Sequence, residues 1–297
     1  YTEGTQLEDY YHFTEKVART LEATIRKEDP SRYTMMAYHN APRFYEAAHL
    51  TEIPMIQGWN LYQGWYEPDI NEFQRLLDRA HKMYKGKVLI VTEYGPGVDL
   101  GVRRFRPERF DFSQEYGLIY HKHYLDEMMK RPFVAGSSLW NLNDFYSESR
   151  VDAVPHVNNK GILGLDREVK DTYLFYKTAL TRRPILAIGN REWKARGGVV
   201  NTEQNECVQS VPVFSNAEEV ELFVNDKSLG KKKTENGYAL FDVPFVNGEN
   251  QLEALAVAGD TKLHDMLRIH FQLVSSQLKD KTLPFTEINV MLGSPRY

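Results

Sequence analysis

Two periods of hydrophobicity alternate along residues 1–182, and this alternation limits the possible folds more than any other feature of the chain. Phe13, Val17, Leu21 and Ile25 recur every four residues, which predicts a helix that stops at Asp29-Pro30. Tyr33 to Tyr38 and Pro54 to Tyr62 read as short strands. Asp69, with Glu72 three residues on, predicts a capping box ahead of a helix whose buried stripe is Phe73, Leu76, Leu77, Ala80 and Met83. After Gly86, Val88-Leu89-Ile90-Val91 is a continuous apolar run, the mark of a strand buried on both faces. Ser113 caps a further helix with Tyr116, Ile119, Tyr120, His123 and Met128 as its expected core face. Phe133 to Leu139 is a fourth strand, and Asp171 to Leu180 a last helix. Strands alternating with helices of this length imply βα units and a parallel sheet, hence an α/β class. Four such units are half of an eight-fold barrel.

Residues 184–275 change character. Glu219 to Val224, Ala239 to Val243 and Leu252 to Val257 alternate at period two, with turn residues at Asn225-Asp226 and Asn247-Gly248-Glu249-Asn250. Short alternating strands at this spacing predict an all-β antiparallel sandwich over 183–275. Lys231-Lys232-Lys233 is read as a solvated hairpin tip between strands, since no aromatic residues interleave it. Residues 276–297 read as a linker followed by the start of another module, on the strength of Ile288-Asn289-Val290-Met291.

The chemistry is bounded by what is scarce. A net charge of −4 leaves no electrostatic footprint for nucleic acid. No run of 18 apolar residues spans a membrane. A single cysteine, Cys207, excludes an intrachain disulfide and a cysteine metal cluster, without fixing the compartment. His121 and His123 stand two apart on a helix and point apart, so they are not a metal pair, and no phosphate-binding glycine loop implies a nucleotide cofactor. We therefore expect neither metal nor cofactor.

In a βα barrel, reacting groups project from the C-terminal ends of the strands. The first strand exits into His39-Asn40 and the second through Asn60-Leu61-Tyr62-Gln63-Gly64-Trp65-Tyr66. The third continues as Thr92-Glu93-Tyr94-Gly95, and the fourth as Trp140-Asn141-Leu142-Asn143-Asp144-Phe145. A carboxylate straight after four apolar strand residues is costly to bury without a partner or a task. By position alone Glu93 suits a catalytic role and a structural ion pair equally. Trp65, Tyr62, Tyr66 and Trp140 supply the aromatic platforms and hydroxyl donors of a sugar site, although each alone is commoner in a core.

Together these segments resemble the glycoside hydrolases of family 2, over residues 1–182 and in consistent order. Val91 to Gly95 is similar to that family's nucleophile segment at the end of barrel strand seven. Asn60 to Tyr66 resembles strand six, whose tyrosine hydrogen-bonds the nucleophile, a role that falls on Tyr62. Leu139 to Phe145 resembles strand eight, where the tryptophan that walls the sugar pocket corresponds to Trp140. Asn159-Lys160-Gly161-Ile162 with Asp166-Arg167 is similar to the loop before the last helix. The resemblance implies the second half of a (β/α)8 barrel, an immunoglobulin-like sandwich after it, and a malectin-like module beginning near residue 288. It implies Glu93 and Tyr62 as catalytic, with Asn60, Trp65, Tyr66, Trp140, Asp144, Asn158 and Lys160 around a carbohydrate substrate.

The family's acid/base glutamate lies in an Asn-Glu pair at the end of strand four, and none precedes Tyr33 here. Asn71-Glu72 falls at a helix start and Asn205-Glu206 in the second domain. The partner carboxyl, and with it the N-terminal half barrel, is therefore expected upstream in the same polypeptide, and this chain alone is expected to be inactive. The strand-six and strand-eight segments favour a β-galactosidase. Asn158-Asn159-Lys160 matches the Asn-x-Lys pattern with which β-glucuronidases hold a sugar carboxylate, which keeps a β-glucuronidase as the alternative. A non-catalytic carbohydrate-binding scaffold, with Glu93 structural, is a third reading.

Overall fold

The computed structural model of the chain describes residues 4–151, 154–277 and 279–283. Its contacts divide it into two compact units, Tyr1–Glu168 and Val169–Tyr297.

In the first unit the elements run α1 (Gly4–Glu28), β1 (Met35–Tyr38), α2 (Pro42–Ala47), β2 (Ile56–Asn60), α3 (Glu72–Met83), β3 (Val88–Glu93), α4 (Gln114–Met129) and β4 (Val134–Ser137), then a small hairpin of β5 (Phe145–Tyr146) and β6 (Val157–Asn158). The strands β1-β2-β3-β4 form one sheet in sequence order, and every neighbouring pair is parallel. Tyr38 is in register with Trp59, and Trp59 with Val91. All three are buried, and Trp59 stacks on Tyr84 just beyond α3. Burying side chains of this size stabilises the layer by roughly 1.5–3 kcal/mol each. The sheet is therefore clad on one face. The run Val88 to Val91, expected to be buried throughout, alternates instead: Leu89 and Val91 are buried, while Val88 is exposed and Ile90 half-buried.

Three further expectations are corrected. The helix over Gly4–Glu28 forms, but Phe13 and Leu21 remain 66% and 57% exposed, so the periodic stripe marks the helix without burying it. The capping box of Asp69 and Glu72 does not form. Asp69 Oδ1 takes the Asn71 N–H at 2.9 Å, and Glu72 pairs with Arg75. On α4, Ser113 caps as expected, with Oγ accepting the Tyr116 N–H at 3.0 Å. Its core face is Tyr116, Tyr120, His121, Tyr124 and Met128, whereas Ile119 is exposed and His123 only half-buried.

The second unit opens with α5 (Asp171–Leu180), followed by β7 (Leu186–Ile188), β8 (Ala195–Val199), β9 (Cys207–Ser215), β10 (Glu219–Val224), β11 (Lys227–Lys233), β12 (Tyr238–Phe245), β13 (Gly248–Ala258) and β14 (Thr261–Val274). A five-stranded sheet, β11-β10-β13-β14-β8, and a three-stranded one, β12-β9-β7, share one apolar core that includes Val213, Leu222, Phe241, Leu252 and Phe271. Phe245 stacks on Phe271 across it at 4.9 Å. Helix α5 is tied to this unit through Asp171, which accepts both the backbone and side-chain N–H of Asn190.

Asn225 and Asp226 take positive φ angles of 47° and 64°, as a two-residue hairpin turn requires. The lysine run that follows is a strand and not a hairpin tip. It pairs with β10 at the sheet edge, and Lys231 bridges to Glu219 at 2.9 Å. Charged edge residues of this kind discourage further strand addition. Ile288 to Ser294, read as the start of another module, lie outside the described residues. No helix among the described residues is long and apolar enough to cross a membrane.

Candidate active site

Glu93 is the last residue of β3, so its side chain stands at the C-terminal edge of the parallel sheet. The ladder between β2 and β3 shifts after Trp59, which brings Asn60 into register with Glu93, and the Leu61 N–H donates to the Glu93 carbonyl at 2.8 Å. Two donors from the β2 exit then converge on the carboxylate. Asn60 Nδ2 donates to Oε2 at 3.1 Å, and the Tyr62 hydroxyl donates to Oε1. Asn60 cannot turn its amide around freely, because its Oδ1 accepts the Thr92 hydroxyl at 2.8 Å. Burial, and next the bond to Glu93, raises the Tyr62 phenol far above its ordinary range, so it stays a donor at any working pH. A half-buried carboxylate fixed by two donors, with its own strand behind it, suits attack on an electrophilic carbon.

The wall opposite is built from the segments after β4. The Trp140 N–H donates to the Tyr94 carbonyl at 2.7 Å, linking the two strand exits. Gly95 lies between them at φ 151°, and a Cβ there would collide with the Trp140 carbonyl, so only glycine fits. Residues 141–144 run alongside 160–163: the Asn141 N–H meets the Lys160 carbonyl at 3.0 Å, and the Ile162 N–H meets the Asn141 carbonyl at 3.0 Å. Asp144 Oδ1 accepts the Gly161 N–H at 2.8 Å and so anchors this pairing. Lys160 is only 3% exposed. Its Nζ donates to the Gly95 carbonyl at 2.9 Å and stands 4.7–4.9 Å from the ring centres of Tyr62, Trp65 and Tyr66. Asn158, also buried, accepts the Lys160 N–H through Oδ1 at 3.2 Å.

Glu93, Asn60, Tyr62, Tyr66, Lys160 and Asn158 thus form one constellation, linked by the contacts above, with Trp140 beside it through Tyr94. Trp140 and Tyr66 offer exposed ring surface, 38% and 45%. Trp65 does not. It is fully buried against Phe110 and Phe112 and serves as a floor beneath Lys160. Asp144 holds a loop through its bond to Gly161. Sequence reasoning passed over Thr92, Gly95 and Arg150, the last of which donates to the Tyr66 hydroxyl at 3.2 Å. Thr92 and Gly95 flank Glu93 in the chain and could have been suspected; nothing about Arg150 in sequence ties it to Tyr66, 84 residues away.

Residues 207–263 match a family described as a domain of unknown function, DUF4982. A β-glucuronidase of Bacteroides fragilis is 28% identical over an alignment of 264 residues that covers 86% of this chain and 36% of that protein. The structure of a Bacteroides uniformis β-glucuronidase 2, covalently bound to cyclophellitol-6-carboxylate aziridine, superposes with a TM-score of 0.88 at 37% identity, over 93% of this chain and 33% of that one. A putative β-galactosidase from Bacteroides fragilis shares the fold, with a TM-score of 0.73 at 24% identity over 88% of this chain and 39% of that one. The chain therefore spans about a third of the length of the first two relatives.

Proposed function

We propose that this chain, which belongs to the family 2 glycoside hydrolases, supplies the nucleophile side of a retaining β-glycosidase, with Glu93 as the attacking carboxylate. The observation that carries this reading is the convergence of the Asn60 amide and the Tyr62 hydroxyl on that carboxylate. In such a reaction one carboxyl attacks the anomeric carbon and a second, about 5–5.5 Å away, protonates the leaving oxygen. Glu93 would form the glycosyl ester. The Tyr62 donor would orient it before attack and stabilise, by hydrogen bonding, the charge returning to the carboxylate when water cleaves the ester.

The second carboxyl would come from another part of the same polypeptide, which would close the four parallel strands into a complete barrel. The exposed apolar residues Phe13 and Leu21 on α1 support a covering layer of that kind. The two-sheet unit after it fits an immunoglobulin-like sandwich.

For the substrate, a β-glucuronide is the better supported reading. Lys160 is a cation held against three aromatic rings beside the nucleophile's partner Tyr62, with Asn158 bonded to its backbone. An ammonium with an amide nearby suits a sugar carboxylate, and the first curated relative carries the name β-glucuronidase. One observation favours a neutral galactoside instead: Lys160 Nζ already gives one of its three donors to the Gly95 carbonyl, a structural use of the ammonium that needs no sugar carboxylate. Aryl β-glucuronide and β-galactoside hydrolysis by the full-length polypeptide, with and without Glu93→Gln, tests the reading. Turnover that the substitution abolishes while the fold persists supports it, and turnover that survives the substitution removes Glu93 from the chemistry.

A further inference from the structure

Helix α4 carries tyrosines at 116, 120 and 124, an i, i+4, i+8 series on one face, and each is at least nine-tenths buried. Two of them reach the backbone of the loop that holds Tyr62. The Tyr124 hydroxyl donates to the Gln63 carbonyl at 2.9 Å and approaches the Leu61 carbonyl at 3.4 Å. The Tyr116 hydroxyl donates to the Gly64 carbonyl. The two carbonyls that follow Tyr62, of Gln63 and Gly64, are thus each taken by a phenol from a helix more than fifty residues further along the chain.

Tyr124 also reaches the neighbour of the nucleophile. Its ring lies parallel to Tyr94, at 5.3 Å and 6°, and Tyr94 directly follows Glu93. Phe73 at 3.8 Å and Tyr120 at 4.3 Å stack against it as well. Its ring is thereby fixed in place, and its hydroxyl is aimed at the Tyr62 loop. Burial keeps the Tyr124 phenol protonated, so the donor is permanent.

We infer that Tyr124, assisted by Tyr116, is a positioning residue that sets the Tyr62 hydroxyl against the Glu93 carboxylate, by bonding the backbone beside one and stacking on the residue beside the other. This rests on the reading of Glu93 as nucleophile and Tyr62 as its donor. A displacement of about 1 Å in a catalytic constellation can cost on the order of a hundredfold in rate, so loss of one backbone anchor should cost about tenfold.

Tyr124→Phe keeps the ring and its stacking and removes only the hydroxyl. In the full-length polypeptide it should lower kcat about tenfold, leave KM within about twofold, and move the acidic limb of the kcat/KM profile. In a Tyr62→Phe background it should add no further loss, because its effect passes through the Tyr62 hydroxyl. Leu77→Ala, a core truncation elsewhere in the unit, should reduce thermal stability without shifting the profile. If Tyr124→Phe does not fold, Tyr116→Phe removes the anchor on Gly64, one residue further from Tyr62, and should show the same pattern more weakly.

Multiplying losses in the double mutant, or a kcat that falls only with the folded fraction, would overturn the inference. A crystal structure of Tyr124→Phe separates this from failure of the parent reading. Movement of the Tyr62 hydroxyl away from Glu93 supports the clamp even if the polypeptide hydrolyses no glycoside. An unmoved hydroxyl refutes the clamp even if Glu93 proves catalytic.

Discussion

Asn60 and Glu93 are register partners across β2 and β3, and the Asn60 amide donates to Glu93 Oε2 at 3.1 Å. The amide is neutral, so it orients the carboxylate without neutralising it. Asn60→Asp would set a second negative charge at that distance. Like charges so close oppose ionisation of both groups, so if Glu93 is the attacking carboxylate it would reach its active form only at higher pH. The acidic limb of the kcat/KM profile should move upward by about a pH unit, and the rate at low pH should fall most. An unchanged profile would mean that the Asn60 contact does not bear on the reacting carboxylate.

Tyr62→Phe removes the other donor to Glu93. A hydrogen bond to a charged group is worth about 1.5–3 kcal/mol, so kcat should fall by about ten- to two-hundredfold. KM should change little, since the phenol bonds the enzyme's own carboxylate and not the sugar. Because the phenol stays protonated far into the basic range, its removal should leave the basic limb of the profile where it was. An effect confined to KM would make Tyr62 a substrate contact instead.

Much of this site is legible in the sequence, for a physical reason. A strand of βα type announces itself by an apolar run, and the polar residue that ends the run must stand at the sheet edge. That places Glu93, and the aromatic exit after β2 places Tyr62 and Tyr66 near it. What stays hidden depends on contacts distant in sequence. The period of Phe13 and Leu21 finds a helix but cannot say what covers it. Trp65 reads equally well as sugar platform or core, and only the packing of Phe110 and Phe112 decides. The lysines at 231–233 become an edge strand because Glu219 and Glu221 stand opposite them. Tyr124 escapes the sequence because a helical stripe through Ile119 and His123 runs slightly off the true core face.

Lys160→Ala separates the two substrate readings. If the ammonium holds a sugar carboxylate, glucuronide turnover should fall by roughly ten- to two-hundredfold, the loss of one charge-assisted bond, and galactoside turnover should not. If Lys160 acts only through its bond to the Gly95 carbonyl, both substrates should suffer equally and modestly. Aryl glycosides of each kind, assayed on wild type and variant, distinguish these outcomes.

The central claim is that Glu93 forms the covalent bond to the sugar, and trapping that bond tests it most directly. A 2-deoxy-2-fluoro glycoside, which slows hydrolysis of the ester more than its formation, should inactivate the full-length polypeptide and leave one adduct. Peptide mapping by mass spectrometry should find that adduct on the peptide containing Val91-Thr92-Glu93-Tyr94-Gly95, with Glu93 the modified residue, and Glu93→Gln should remain unlabelled. An adduct on another carboxylate, or inactivation that persists in Glu93→Gln, would contradict the account.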